Sequence, residues 1–127
     1  MEHAKAYLMS KPEAWEDYPF NLPVAVYKIR HKMFATLSES GGHWRMNLKC
    51  EPLEAMMLRD VFEAVLPGYH MNKALWNTIV LDGSIPASEI ERMIDNSYQL
   101  VIKGLTRIER HQLETRFTSV ELYGSRK

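Results

Sequence analysis

The sequence predicts an α+β domain in which an antiparallel β-sheet packs helices on one face. Short connections separate the predicted strands, and short connections form antiparallel hairpins rather than parallel crossovers. Helical patterns lie before, between and after the strands, which is typical of the α+β class. A chain of 127 residues, 46% hydrophobic and 25% charged, suits one such domain.

The clearest strand covers residues 44–50. Its even-numbered positions are apolar, whereas the odd positions hold Arg45, Asn47 and Lys49. A period of two places the apolar set in the core, including Cys50, and the polar set in water. The other face of the sheet is expected to stay open to water or to a partner.

Helix signals are strongest in the second half of the chain. A stripe of apolar residues recurs at helical spacing over 86–103, and Gly104 stands where a C-terminal cap is expected. Thr106 and Glu109 predict a capping box for a last helix. Pro52 suits the first turn of another helix, and its apolar residues cover so much of the surface that we expect this helix to be buried.

The elements predicted from these patterns are a helix over 1–10, an irregular segment over 13–22, strands over 24–29, 33–37 and 44–50, turns over 30–32 and 38–43, a helix from 52 to about 66, a strand over 77–81, and helices over 86–103 and 106–117. One domain over 1–120 is expected, with a frayed tail over 121–127.

Composition restricts the classes of function. The formal net charge is zero and the pI is about 7.0, which argues against strong non-specific binding to nucleic acid. The single cysteine allows no intrachain disulfide, and no signal peptide or membrane-length apolar run is visible. We therefore expect a cytoplasmic protein without membrane contact. The absence of heptads or an obvious self-complementary apolar patch favours a monomer.

Nothing in the sequence indicates catalysis. The chain lacks a nucleophile elbow, a phosphate-binding loop and a dinucleotide fingerprint. Its five histidines are scattered, without the spacing of metal ligands. Cys50 has no obvious neighbour to activate its thiol. The sequence therefore predicts a non-enzymatic protein with no cofactor and no metal.

The most informative segment runs from Pro67 to Leu81, PGYHMNKALWNTIVL, and continues as Asp82-Gly83-Ser84. Its order resembles the signature of the MmcQ/YjbR family of small bacterial proteins, H-x-N-K-x-x-W-x-T-x-x-L-D-G-S. The resemblance extends over roughly residues 7–105. Further matching segments are Ser10–Phe20, Lys32–Ala35, Leu48–Cys50, Leu58-Arg59, Asp95, Ser97 and Tyr98.

The resemblance implies a fold and a function. The fold is the frataxin-like (CyaY-like) or double-wing arrangement, an antiparallel sheet packed with helices, and the family carries a DNA-binding label. Arg30-His31 stands where a glycine is expected before the lysine. Frataxins bind iron through an acidic first helix, but the first helix here holds only Glu2. Iron binding is therefore not expected.

One candidate surface is basic. Arg45 and Lys49 share a strand face by period, and Lys28 and Arg30 share one if the first strand extends that far. If these faces coincide, the open side of the sheet and its hairpins would contact double-stranded DNA. The alternative is an ordinary solvated face. The proposed nucleic-acid contacts are Lys28, Arg30, Lys32, Arg45, Lys49 and Lys73.

A second candidate surface comprises the polar and aromatic signature residues His70, Asn72, Lys73, Trp76 and Thr78. Lys73 would supply charge, His70 and Asn72 hydrogen bonds, and Trp76 a stacking face. The alternative is structural, with the polar groups satisfying backbone atoms and Trp76 closing the core.

The sequence therefore favours a DNA-binding module. The second hypothesis is a protein- or small-ligand-binding domain with a pocket around His70, Lys73 and Trp76. The third is an accessory protein in stress or regulation that does not contact nucleic acid.

Overall fold

The computed structural model describes residues 1–20, 23–68 and 71–124. The helices within them are α1 (Glu2–Ser10), α2 (Pro52–Val61), α3 (Ala87–Lys103), α4 (Arg107–Arg116) and α5 (Ser119–Tyr123). The strands are β1 (Ala14–Asp17), β2 (Ala25–Ile29), β3 (Lys32–Ser40), β4 (His43–Lys49), β5 (Val65–Pro67) and β6 (Trp76–Leu81). None of these helices has the length and apolar character needed to cross a bilayer.

The six strands form one sheet in the order β1-β2-β3-β4-β6-β5, and every neighbouring pair is antiparallel. The predicted α+β class with an antiparallel sheet is confirmed. Gly41 and Gly42 join β3 to β4, with φ angles of 63° and 83°. Two successive positive φ angles give a hairpin turn whose twist matches that of the strands.

The turn between β2 and β3 is equally short but contains no glycine. Arg30 adopts a φ of 59°, a left-handed conformation that costs a non-glycine residue about 1–2 kcal/mol. The family resemblance predicts a glycine in this turn, and the positive φ explains that preference. The arginine is held there by an ion pair to Glu13, with 3.2 Å between Nε and Oε1.

The core lies between one face of the sheet and the helices. Leu37, Met46 and Ile79 face each other across β3, β4 and β6 and cluster with Ile94 and Tyr98 of α3. Buried side chains of α1, α2, α4 and α5 belong to the same cluster. In the described part of the chain no helix packs on the other side of the sheet, which we call the helix-free face.

Helix α3 is fastened to the sheet by polar contacts. The register of β2 with β3 shifts between Tyr27 and Lys28. At this irregularity the Ser97 hydroxyl donates to the Phe34 carbonyl at 2.6 Å and accepts from the Lys49 N–H at 2.9 Å. One side chain thus satisfies backbone groups from two strands.

The same helix also holds the N-terminal segment. The Lys11 Nζ lies 2.7 Å from Asp95 Oδ1, and the Tyr7 hydroxyl donates to the same carboxylate at 2.8 Å. Lys11 and Asp95 both belong to segments that resemble the family. Their contacts here join α1 and the following turn to α3.

Several predicted boundaries were wrong. The segment 13–22 was expected to be irregular, yet it contains β1, which is held by pairing with β2. The helix that begins at Pro52 ends at Val61 rather than near 66, and residues 65–67 pair with β6 as β5. The segment expected to fray, 121–127, begins within α5, where a Thr118–Glu121 capping box forms and Leu122 is buried, and its residues 125–127 lie outside the described residues.

The expected burial of α2 was also wrong. Only Ala55 and Leu58 of this helix are buried, whereas Leu53 is 71% exposed. The helix contacts the sheet along one narrow side, so most of its apolar residues face solvent. Apolar residues around most of the helix indicated burial, but the pattern does not show that another part of the protein contacts each side of the helix.

Candidate functional site

The centre of the helix-free face is formed by β3, β4 and β6. Residues that lie opposite each other in antiparallel strands point to the same side. Asn47 lies opposite Thr36 and Thr78, so these three side chains share the helix-free face. Arg45 and Lys49, two positions away on either side, share it too, as the period of two predicts.

A polar row crosses these three strands. The Thr78 hydroxyl donates to Asn47 Oδ1, and Asn47 Nδ2 donates to Thr36 Oγ1 at 3.1 Å. Thr36 and Thr78 are 5% and 3% exposed, and neither belongs to the apolar core. Sequence reasoning named Thr78 but missed Thr36 and Asn47. These residues could have been found from the sequence, because each of the three adjacent strands has a polar residue at a position that points to the same face.

Two cations flank this polar row. Arg45 Nε donates to the Ser40 carbonyl at 3.1 Å, and its guanidinium lies over Gly41, which places the charge at the β3–β4 hairpin. Lys49 is opposite Trp76 at the other end of β4, where it also borders a depression with Leu100. Among the described residues neither cation pairs with a carboxylate.

The other predicted basic residues do not join this pair as free charges. Lys28 is on the helix-free face but lies 2.9 Å from Asp17, and the hydrogen bond from Lys28 lowers the pKa of that carboxyl. Arg30 is paired with Glu13. Lys32 lies opposite a core residue of β2 and so shares the helix-bearing face.

Residues 72–75, directly before β6, form a turn. The Asn72 carbonyl accepts from the Trp76 N–H at 2.9 Å, and its side-chain oxygen accepts from the Ala74 N–H at 3.0 Å. Trp76 is only 9% exposed. A Cβ atom on Gly68 would lie 2.8 Å from the Trp76 Cβ, so this close approach requires glycine. These contacts support the structural alternative for Asn72. Trp76 is buried, but it lies opposite Lys49 on the helix-free face and outside the apolar core cluster.

Helix α2 holds the same turn in place. Arg59 donates from Nη2 to the Lys73 carbonyl and from Nε to Asn77 Oδ1, the latter at 2.8 Å. The Lys73 side chain is exposed, and no ion pair is formed by it within the described ranges. His70, the remaining member of the predicted ligand surface, lies outside the described residues.

A groove of about 230 Å³ separates the start of α2 from α3. It is bordered by Cys50, whose pKa is raised to about 11, chiefly by burial and then by the nearby Glu54 and Glu51 carboxylates. The thiol is therefore protonated at neutral pH and is a poor nucleophile. Across the described residues, no three His, Cys, Asp or Glu side chains are grouped so that they could hold a metal ion.

Comparison with known proteins agrees with the sequence resemblance. The family model named YjbR matches residues 9–100. The chain belongs to the YjbR family. The YjbR protein of Escherichia coli (strain K12) is 35% identical over 107 residues, which are 84% of this chain and 91% of that protein. YyaQ of Bacillus subtilis (strain 168) is 33% identical over 110 residues, covering 78% of this chain and 92% of the relative.

Two solved structures share the fold. A Deinococcus radiodurans protein with the DUF419 domain superposes with a TM-score of 0.80 at 32% identity, covering 86% of this chain and 83% of that one. A Pseudomonas syringae protein gives 0.67 at 30% identity, covering 75% and 92%. The YjbR match spans the whole sheet, α2 and most of α3, and it excludes α4 and α5.

Proposed function

We propose that this protein binds nucleic acid, with double-stranded DNA as its first expected ligand, through the helix-free face of its sheet. The observation that carries the proposal is the placement of Arg45 and Lys49. Both cations lie on this face, on either side of the polar row along β4, and no carboxylate pairs with either within the described chain.

The charge distribution makes a phosphate contact compatible with a net charge of zero. On the helix-free face the charges of Lys28 and Asp17 cancel, whereas Arg45 and Lys49 form no ion pair among the described residues. Lysine and arginine side chains supply most of the affinity for a phosphate backbone, because binding releases condensed counterions. Asn47, the partly exposed member of the polar row, would add a hydrogen bond at the centre.

The expected affinity is modest. Non-specific complexes with DNA typically have dissociation constants of ~10⁻⁴–10⁻⁶ M at physiological salt, and a surface with two phosphate-contacting cations is expected at the weak end of that range. The family's DNA-binding label is consistent with such a surface, but a shared fold does not establish a function. The direct test is binding itself.

Fluorescence anisotropy of a labelled duplex, and of its labelled single strand, would be measured at low and near-physiological salt. The wild-type protein should bind the duplex, and the affinity should fall steeply with salt. In the double variant Arg45→Ala/Lys49→Ala, the slope of log K against log salt should decrease by about two, since each lost phosphate contact contributes about 0.9.

The matched control is Lys103→Ala/Arg107→Ala, which removes the same charge from exposed residues of the helical layer. This control should retain the wild-type affinity and salt slope. Equal losses in both double variants would contradict the assignment to the helix-free face. No binding of either nucleic acid at low salt would overturn the proposed function.

A further inference from the structure

Helix α2 presents an apolar stripe to solvent. Leu53, Met56, Met57 and Val61 are 71%, 59%, 54% and 68% exposed. Each helix residue advances about 100° around the axis, so these four positions fall on one side of α2. We call them the α2 patch. Ala55 and Leu58, on the other side, make the contact with the core.

The α2 patch is unusual for an isolated surface. Single exposed apolar residues are common, whereas contiguous patches of a few hundred Å² on a monomer generally mark interaction sites. Two of its four members are methionines, whose flexible and polarizable side chains adapt to the surfaces of different partners. The position of the patch is well defined, because Asn77 Nδ2 donates to the Ala55 carbonyl and ties the helix to β6.

The surroundings of the α2 patch are acidic. Glu51, Asp60 and Glu63 are exposed, and none of them forms an ion pair in the described part of the chain. Asp60 lies within the angular range of the patch itself. The only cation of α2, Arg59, points inward to Asn77 and the Lys73 carbonyl.

We propose that the α2 patch docks a basic amphipathic helix of a partner protein. The apolar side of such a helix would cover the two methionines and Leu53, and its flanking lysines or arginines would meet the acidic rim. Binding of an amphipathic helix through apolar residues at i, i+3 and i+4 is a recurrent mode of recognition. Complementary charge at the rim would add specificity and a faster association rate.

The acidic rim argues against two other occupants. In a two-fold pairing of α2 with a second copy of itself, Asp60 and the neighbouring glutamates would meet like charges, which is destabilising. An anionic membrane surface would be repelled for the same reason, since amphipathic helices that lie on membranes carry lysines and arginines on their polar face. The surface chemistry therefore favours a cationic protein segment.

This site is separate from the proposed nucleic-acid surface. Asn77 faces the helix-bearing side, because it lies opposite the core residue Leu48, and it holds α2 there. Arg45 and Lys49 lie on the other side of the sheet. A ligand on one surface would leave the other accessible, so each proposal can be tested without the other.

The test uses two labelled synthetic peptides that form amphipathic helices, one with leucine and lysine and the other with leucine and glutamate at the same positions. The full-length protein should bind the lysine peptide and not the glutamate peptide. Met56→Gln/Met57→Gln should weaken binding by about tenfold, as expected when anchoring apolar contacts are removed. Asp60→Lys should weaken binding of the lysine peptide while leaving the fold intact by circular dichroism.

Ile108→Gln/Val120→Gln is the matched control, because these apolar residues of α4 and α5 are 70% and 60% exposed and lie outside the α2 patch. It should bind the lysine peptide as the wild type does. Equal binding of both peptides, or equal weakening in the control, would overturn the proposal. A dimer in light scattering that is lost in the methionine variant, without peptide binding, would assign the patch to a second copy instead.

Discussion

The hydroxyl of Ser97 is the most informative single atom to remove. It lies in α3, is fully buried, and connects the Phe34 carbonyl of β3 with the Lys49 N–H of β4. It lies where the register between β2 and β3 shifts. Ser97→Ala removes only this oxygen, so the packing of α3 is otherwise preserved.

The expected loss follows from the two backbone groups left without a partner. Each buried polar group that loses its hydrogen bond costs about 1–3 kcal/mol. Because Lys49 is partly exposed, water can recover some of that loss, and we expect about 2–4 kcal/mol for the pair. For a domain of this size about 4 °C of Tm corresponds to each kcal/mol, so Tm should fall by about 8–16 °C.

Urea denaturation and thermal melting followed by circular dichroism measure both quantities. The control is Ser88→Ala, which removes an exposed hydroxyl from the first turn of the same helix and should change the free energy of unfolding by less than about 0.5 kcal/mol. The urea m-value should stay constant in both variants. A Ser97→Ala protein as stable as the Ser88→Ala protein would refute the bridging role.

Two further predictions concern ionisable groups in the core. The pKa of Cys50 is raised to about 11, so in the folded protein at pH 8 its thiol should react with a thiol reagent much more slowly than in the protein unfolded in urea. Equal rates in the folded and unfolded protein would show that the thiol is accessible. Burial raises the pKa of Tyr27 and of Tyr98 well above the usual 10.0. The stability that these phenols contribute is therefore present below pH 10, and it is lost as the pH rises toward their pKa values in the folded protein. Tm should therefore fall above pH 10, and Tyr27→Phe should reduce that slope; an unchanged slope would contradict the assignment.

The arrangement of the central strands could be predicted because local pattern and tertiary structure agree there. Alternation over residues 44–50 correctly separated the core side of β4 from the side that carries Arg45 and Lys49. The last strand, α3 and the capping box of α4 were predicted for similar reasons. In each case the apolar residues recur with the period of the element and lie on the side that is buried in the fold.

The edge strand β1 could not be predicted in this way. AWED contains no β-branched residue, and its strand conformation depends on pairing with β2. Missing this strand had a consequence for the candidate site. Arg30 pairs with Glu13, which directly precedes this strand, and Lys28 pairs with Asp17, which ends it. The sequence therefore predicts a larger basic surface than the structure forms.

The exposure of α2 shows a different limit. Apolar residues all around a helix are compatible with complete burial and with a surface that binds a partner. Only the contacts of Ala55 and Leu58 decide which side faces the core. The family resemblance located this helix within a known fold but did not indicate its exposed methionines.

Two groups of charge lie on opposite sides of the sheet, although the formal net charge is zero. In the described part of the chain, Arg45 and Lys49 on the helix-free face form no ion pair, and neither do Glu51, Asp60 and Glu63 around α2. A neutral molecule with such a separation has an electric dipole, and a polyanion exerts a torque on it over distances up to about one Debye length, ~8–10 Å. It would approach a phosphate backbone with the sheet already turned toward the strand and with α2 directed into the solvent.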